Sequence, residues 1–157
     1  MARLERHREV ESQAGESLRV FFDADVLIAG AASTSGASHV LLHLAELGLV
    51  AGITSEQAVH EVERNLLSKL PAALPAFRAI VSAALQIVSG PGTDALRAFR
   101  GQAHESDLPI LAAARLNACK YLVTFNVRHY RPAGAGLRAT APGPLVERIR
   151  RALIEVE

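Results

Sequence analysis

Val20-Phe21-Phe22 runs straight into Asp23 and Asp25, and apolar residues resume at Val26-Leu27-Ile28. An unbroken apolar run, unlike an alternating one, reads as a strand buried on both faces, which requires helices on both sides of a parallel sheet. The spacing predicts a strand over 19–23 and a helix from about Val26, with Asp25 at its N-cap. Capping accounts for Asp25. It leaves Asp23 with a charge that needs some other partner. Ligands of open parallel sheets bind just beyond the carboxyl ends of the strands, so Asp23 stands where a site is expected.

The remaining chain alternates in the same style. Residues 1–18 are densely charged and read as a tail or loose helix, and 19–157 reads as a single domain. Ser33 to Ser38 is a loop in which Ser35 and Ser38 suit N-capping or contact with a phosphate. Val40, Leu44 and Leu47 follow at helical spacing, with Gly48 as the helix end. Leu49 to Ile53 predicts a second strand. Thr54 and Gln57 have capping-box spacing for a helix with the stripe Val59, Val62, Leu66 and Leu70. Glu61 and Glu63 both lie on this helix, and the helical wheel alone assigns neither to a site. Pro75 opens a further helix carrying Phe77, Ile80, Val81 and Ala84, and Gln86 to Ser89 predicts a short strand. Thr93 or Asp94 caps a short helix. Asp107 stands in the first turn of an Ala-rich helix that runs on through Pro109-Ile110-Leu111-Ala112-Ala113-Ala114, where the helix dipole alone would explain an acid. Lys120 to Thr124 is another buried strand, and it ends on Thr124-Phe125-Asn126. Leu137 to Thr140 is the last strand, and the last helix has Leu145, Ile149 and Leu153 on its core face. The order predicts a three-layer α/β/α fold with a central parallel sheet of four to five strands and right-handed crossovers.

Composition limits the chemistry. The net charge of +1 neither demands nor excludes nucleic acid, although there are only two lysines among the 17 basic residues, and Arg suits bidentate phosphate contacts. Cys119 is the only cysteine, which rules out an internal disulfide. No signal peptide and no run long enough to span a bilayer is present, so a cytoplasmic protein without a membrane is expected.

Three stretches share a pattern with a known family. Phe22-Asp23-Ala24-Asp25-Val26-Leu27-Ile28, His104-x-x-Asp107-x-Pro-Ile-Leu-Ala-Ala-Ala, and Leu122-Val123-Thr124-Phe125-Asn126-x-Arg128-His129-Tyr130 resemble the signature segments of the PIN-domain nucleases, the fold of VapC-type toxins. The resemblance runs from Val20 to the C-terminal helix. Glu61-Val62-x-x-x-Leu66 resembles the family's middle motif and selects Glu61 over Glu63. The resemblance implies catalytic Asp23, Glu61, Asp107 and Asn126. It further implies a Mg²⁺ or Mn²⁺ ion held by Asp23, Asp107 and Glu61, an RNA substrate, a cognate antitoxin and a homodimer. Two positions depart from the family: Asp25 stands where Asn is usual, and Asn126 where many members have a fourth Asp.

The chemistry is coherent without the name. Phosphodiester cleavage needs an activated water and neutralised charge on the phosphate, and a carboxylate-held divalent ion supplies both. Because Mg²⁺ takes only one or two direct protein ligands, Asp23 and Asp107 are the expected direct ones, with Glu61 and Asn126 acting through water. Arg128 and Arg131 are candidates for flanking phosphates, with Thr124, His104, His129 and Ser38 as further substrate contacts. Two alternatives carry other chemistry. One is a PIN fold that binds RNA or protein without cleaving. The other is a haloacid-dehalogenase-like phosphatase with Asp23 as nucleophile and Asp25 as acid. The phosphatase pattern also wants a late acidic pair, and no aspartate follows Asp107.

Overall fold

A computed structural model describes residues 18–155. Five parallel strands form one sheet: β1 (Arg19–Phe22), β2 (Ala51–Ser55), β3 (Leu85–Val88), β4 (Tyr121–Val123) and β5 (Arg138–Thr140), in the order β3-β2-β1-β4-β5. β1 is central, with Phe21 opposite Ile53 on one side and Leu122 on the other. Val20, Phe21 and Phe22 have no exposed surface, as an unbroken apolar strand between two helical layers requires.

Helices α1 (Ala24–Ala32), α2 (Ala37–Glu46), α3 (Glu56–Lys69), α4 (Leu74–Ala84) and α7 (Pro142–Glu155) pack in a connected set. On the other side α6 (Leu108–Leu116) lies over β2 and β4, with the short α5 (Thr93–Ala98) against it. The result is the expected three-layer α/β/α arrangement. Ala112, Ala113 and Ala114 are buried, so the small side chains of α6 let it approach the strands closely. Gly52 has a similar role in β2: a Cβ there would sit 2.8 Å from the Ala84 carbonyl oxygen. Gly48 ends α2 in the left-handed region at φ 79°, the helix-end role its placement predicts.

Several local expectations are corrected. α1 begins at Ala24, and Asp23, not Asp25, caps it through a bond from the Ala24 amide. The cap of α3 is Ser55, which accepts from the Ala58 amide; Thr54 still belongs to β2 and donates to the Phe22 carbonyl. Gly36 caps α2, so neither Ser35 nor Ser38 has that role, and Gly92 caps α5 in place of Thr93 or Asp94. Leu70 and Leu153 are exposed: α3 and α7 both outrun the core their stripes were expected to meet. Leu18, assigned to the tail, is tied in through its carbonyl, which accepts from the Ala51 amide. The rest of that segment, 1–17, lies outside the described residues.

Candidate active site

The strand order changes direction at β1: β2 and β3 extend to one side, β4 and β5 to the other. The carboxyl ends of β1 and β4 therefore frame the crevice at which open sheets bind ligands. Asp23 continues β1 into this crevice, its amide donating to the Val123 carbonyl at 3.0 Å.

The Asp23 carboxylate is buried but held by three donors. Oδ1 accepts from the Ala24 amide at 2.8 Å, and Oδ2 accepts from the Thr124 and Tyr130 hydroxyls, each at 2.9 Å. Burial still pushes its pKa above the ordinary carboxylate value, and the nearby charge of Asp107 adds to the rise. Burial and the Asp23 charge also push the Tyr130 phenol up, so Tyr130 stays protonated and can only donate to this carboxylate.

Asp25 turns toward the loop after β4. Its Oδ2 accepts from the Phe125 amide at 2.9 Å and from the Asn126 side-chain amide at 3.2 Å, while its Oδ1 is buried without a hydrogen-bond partner. Burial, reinforced by Asp23, raises its pKa to about 6.

Asp107 ends a 3-10 turn, Glu105–Asp107, at the start of α6, yet its side chain makes no capping bond. Its Oδ2 lies 3.1 Å from His129 Nδ1, and the His129 ring stacks on His104 with centroids 4.3 Å apart. Glu61 reaches the same region from α3. Partial burial and then the charges of Asp23 and Asp107 raise its pKa. Glu63 lies instead 3.9 Å from Arg78.

Asp23, Glu61 and Asp107 come from three separate elements, and the charge of Asp107 is felt at both of the others, as that of Asp23 is at Glu61. Asn126 is exposed and bonded to Asp25, and Thr124 bridges toward both Asp23 and Asp25. Arg128 and Arg131 are exposed and, among the described residues, form no ion pair. No described hydrogen bond ties the Ser38 side chain to the group. Ser38 is buried, with its carbonyl oxygen beside Gly30 of α1. Sequence reasoning overlooked Tyr130 as a donor to Asp23, because the contact joins positions far apart in the chain.

The donor set suits a hard divalent cation. It is a group of oxygen donors whose mutual repulsion a cation would relieve, beside one buried oxygen with no partner. His104, Asp107 and His129 also offer ligand atoms within 4.8 Å of one another. The near-parallel stack of the two rings keeps their in-plane lone pairs from meeting at one ion.

The Cys119 thiol is buried and pushed up to about 11, which makes it inert as a nucleophile at neutral pH. No described helix is long and apolar enough to cross a membrane.

A family model described as PIN domain matches residues 19–128. Among solved structures, PAE2754 from Pyrobaculum aerophilum matches with a TM-score of 0.62 at 15% identity, over 87% of this chain and 98% of that one. At that identity the likeness is one of fold. No curated protein matches the sequence.

Proposed function

Since the chain belongs to the PIN-domain family, a family of nucleases, we propose that it is an endoribonuclease that cleaves RNA with Mg²⁺ or Mn²⁺. One relationship supports this reading: Asp23, Glu61 and Asp107 are supplied by β1, α3 and the start of α6, and the charge of Asp107 is felt at both of the others. Asp23 and Asp107 would hold the ion directly, and Glu61 would act through water. A bound divalent ion supplies a water of lowered pKa and neutralises charge on the phosphate.

The chain's own groups prepare that site. Thr124 and Tyr130 fix the Asp23 carboxylate in one orientation, and His129 holds Asp107. Glu61 is exposed enough to orient a water and take its proton as it attacks phosphorus. Arg128 and Arg131 are free to meet flanking phosphates. No Ser or Cys nucleophile is required.

The phosphatase alternative fits less well. Its late acidic pair has no counterpart here, since no aspartate follows Asp107.

The test uses purified protein and a structured RNA, with EDTA against Mn²⁺. Cleavage in Mn²⁺ that is lost in EDTA and in Asp107→Asn supports the reading; cleavage that persists in both overturns it. We extend the proposal to a VapC-like toxin that acts as a homodimer under a cognate antitoxin. Growth arrest on expression, relieved by the product of an adjacent gene, is the corresponding observation.

A further inference from the structure

The chain has five Phe, two Tyr and no Trp. Phe21, Phe22, Phe77, Tyr121 and Tyr130 are buried, and Phe99 packs against the core. Phe125 alone stands out, at 53% exposed, and it occupies the loop between the Thr124 and Asn126 contacts of the site. Four hydrogen bonds fix this loop. The Thr124 amide donates to the Thr140 carbonyl at 2.9 Å, the Phe125 amide to Asp25 Oδ2, the Asn126 amide to Thr124 Oγ1 at 3.1 Å, and the Asn126 side chain to Asp25. The ring is therefore held in water at the lip of the carboxylate crevice by a rigid backbone. Core packing gives no reason for it. The exposed Arg128 follows on the same segment.

We propose that Phe125 is a stacking platform for an unpaired base of the strand whose backbone enters the crevice. The inference rests on the RNA-cleaving reading. An apolar face beside a site for a polyanion suits a ligand that joins charged phosphates to flat rings. Every base presents such a face, so the platform grips a single strand without reading its sequence. A base paired within a duplex keeps its faces covered, which makes unpaired RNA the preferred class.

Since the chain lacks tryptophan, Phe125→Trp places the only indole at this point. The measurement uses the full chain in an Asp107→Asn background in Mg²⁺, titrated with an unstructured RNA, with the same strand made abasic, and with an RNA duplex. The expected result is quenching of the indole by the unstructured strand and much less by the other two. Phe125→Ala should weaken binding of that strand about 10-fold and, with Asp107 intact, raise the KM of cleavage with kcat largely kept, whereas Phe125→Tyr should restore both. Undiminished binding by Phe125→Ala, with an unquenched indole at saturation, overturns the proposal and leaves the nuclease reading standing. Conversion of a dimer to a monomer by Phe125→Ala, with RNA affinity unchanged, assigns the ring to contact between copies and also overturns it. Failure of the parent protein either to bind or to cleave RNA with any metal removes both readings together.

Discussion

The side-chain amide of Asn126 donates to Asp25 Oδ2 at 3.2 Å, so the two positions that depart from the usual PIN pattern are bonded to each other. The family's Asn and Asp have in effect changed places across one contact. The acid on the β4 side is lost and one on the β1 side is gained, and the charge of the crevice is kept. Asn126 alone therefore does not imply an inactive site.

This pairing gives a double-mutant prediction. Asn126→Asp sets two carboxylates against each other and should destabilise the metal-free protein by about 1–3 kcal/mol. Adding Asp25→Asn to that variant restores an amide–carboxylate pair and should recover most of the loss. Urea melts of the two single variants and the double variant measure the coupling. Additive losses would show that the two side chains do not act as a pair.

The raised carboxylates predict how metal-free stability depends on pH. The folded-state pKa of Asp25 is about 6, above its ordinary value of 3.8, and Asp23 and Glu61 shift in the same direction. The folded state binds these protons more tightly than the unfolded chain does. Their contribution is thus complete below the ordinary carboxylate range and is lost as pH rises through about 6. In EDTA the melting temperature should fall between about pH 4 and pH 6.5, and less steeply in Asp25→Asn. At pH 7.5, Mn²⁺ at about 100 times its dissociation constant should return roughly 2.7 kcal/mol, and Asp107→Asn should remove most of that gain. A flat profile in EDTA would mean that neither burial nor neighbouring charge raises these carboxylates.

The alternation of apolar runs with helical stripes made the layers and the parallel sheet legible, because a strand buried on both faces leaves few other architectures. Strand order was not legible, since nothing in Tyr121–Val123 says that it pairs with β1 and not with β3. Asp23 could be placed at a strand end from its neighbours alone. Its cap role was missed because a two-residue shift of the helix start exchanges the parts of Asp23 and Asp25, and a one-residue shift separates Ser55 from Thr54. Tyr130 reads as one more residue after a loop. Its hydroxyl matters only once β1 and β4 are adjacent.

Glu61 and Glu63 lie two residues apart on α3 and so face different ways, one toward the Asp23–Asp107 region and one toward Arg78. Glu61→Gln should lower kcat by about 100-fold or more while the melting temperature in EDTA holds or rises, because a repelling charge is gone. Glu63→Gln loses only a weak, half-exposed ion pair and should leave both nearly unchanged. Single-turnover cleavage beside thermal melts separates the two, and greater damage from Glu63→Gln would place the wrong face of α3 at the site.

Tyr130 provides the sharpest separation of orientation from charge. Its hydroxyl and that of Thr124 both reach Asp23 Oδ2, so Tyr130→Phe removes one of two donors and leaves the ring in place. The loss should cost about 1 kcal/mol of stability, the net worth of one hydrogen bond. With one donor fewer, the charged form of Asp23 is less favoured and its pKa rises further, so protons compete more strongly for the oxygens that the metal needs. The variant should therefore need more Mn²⁺ for half-maximal cleavage, with the deficit largest at acidic pH and shrinking as pH rises. A variant with the parent's metal requirement at pH 6, but with lower stability, would reduce Tyr130 to a packing residue.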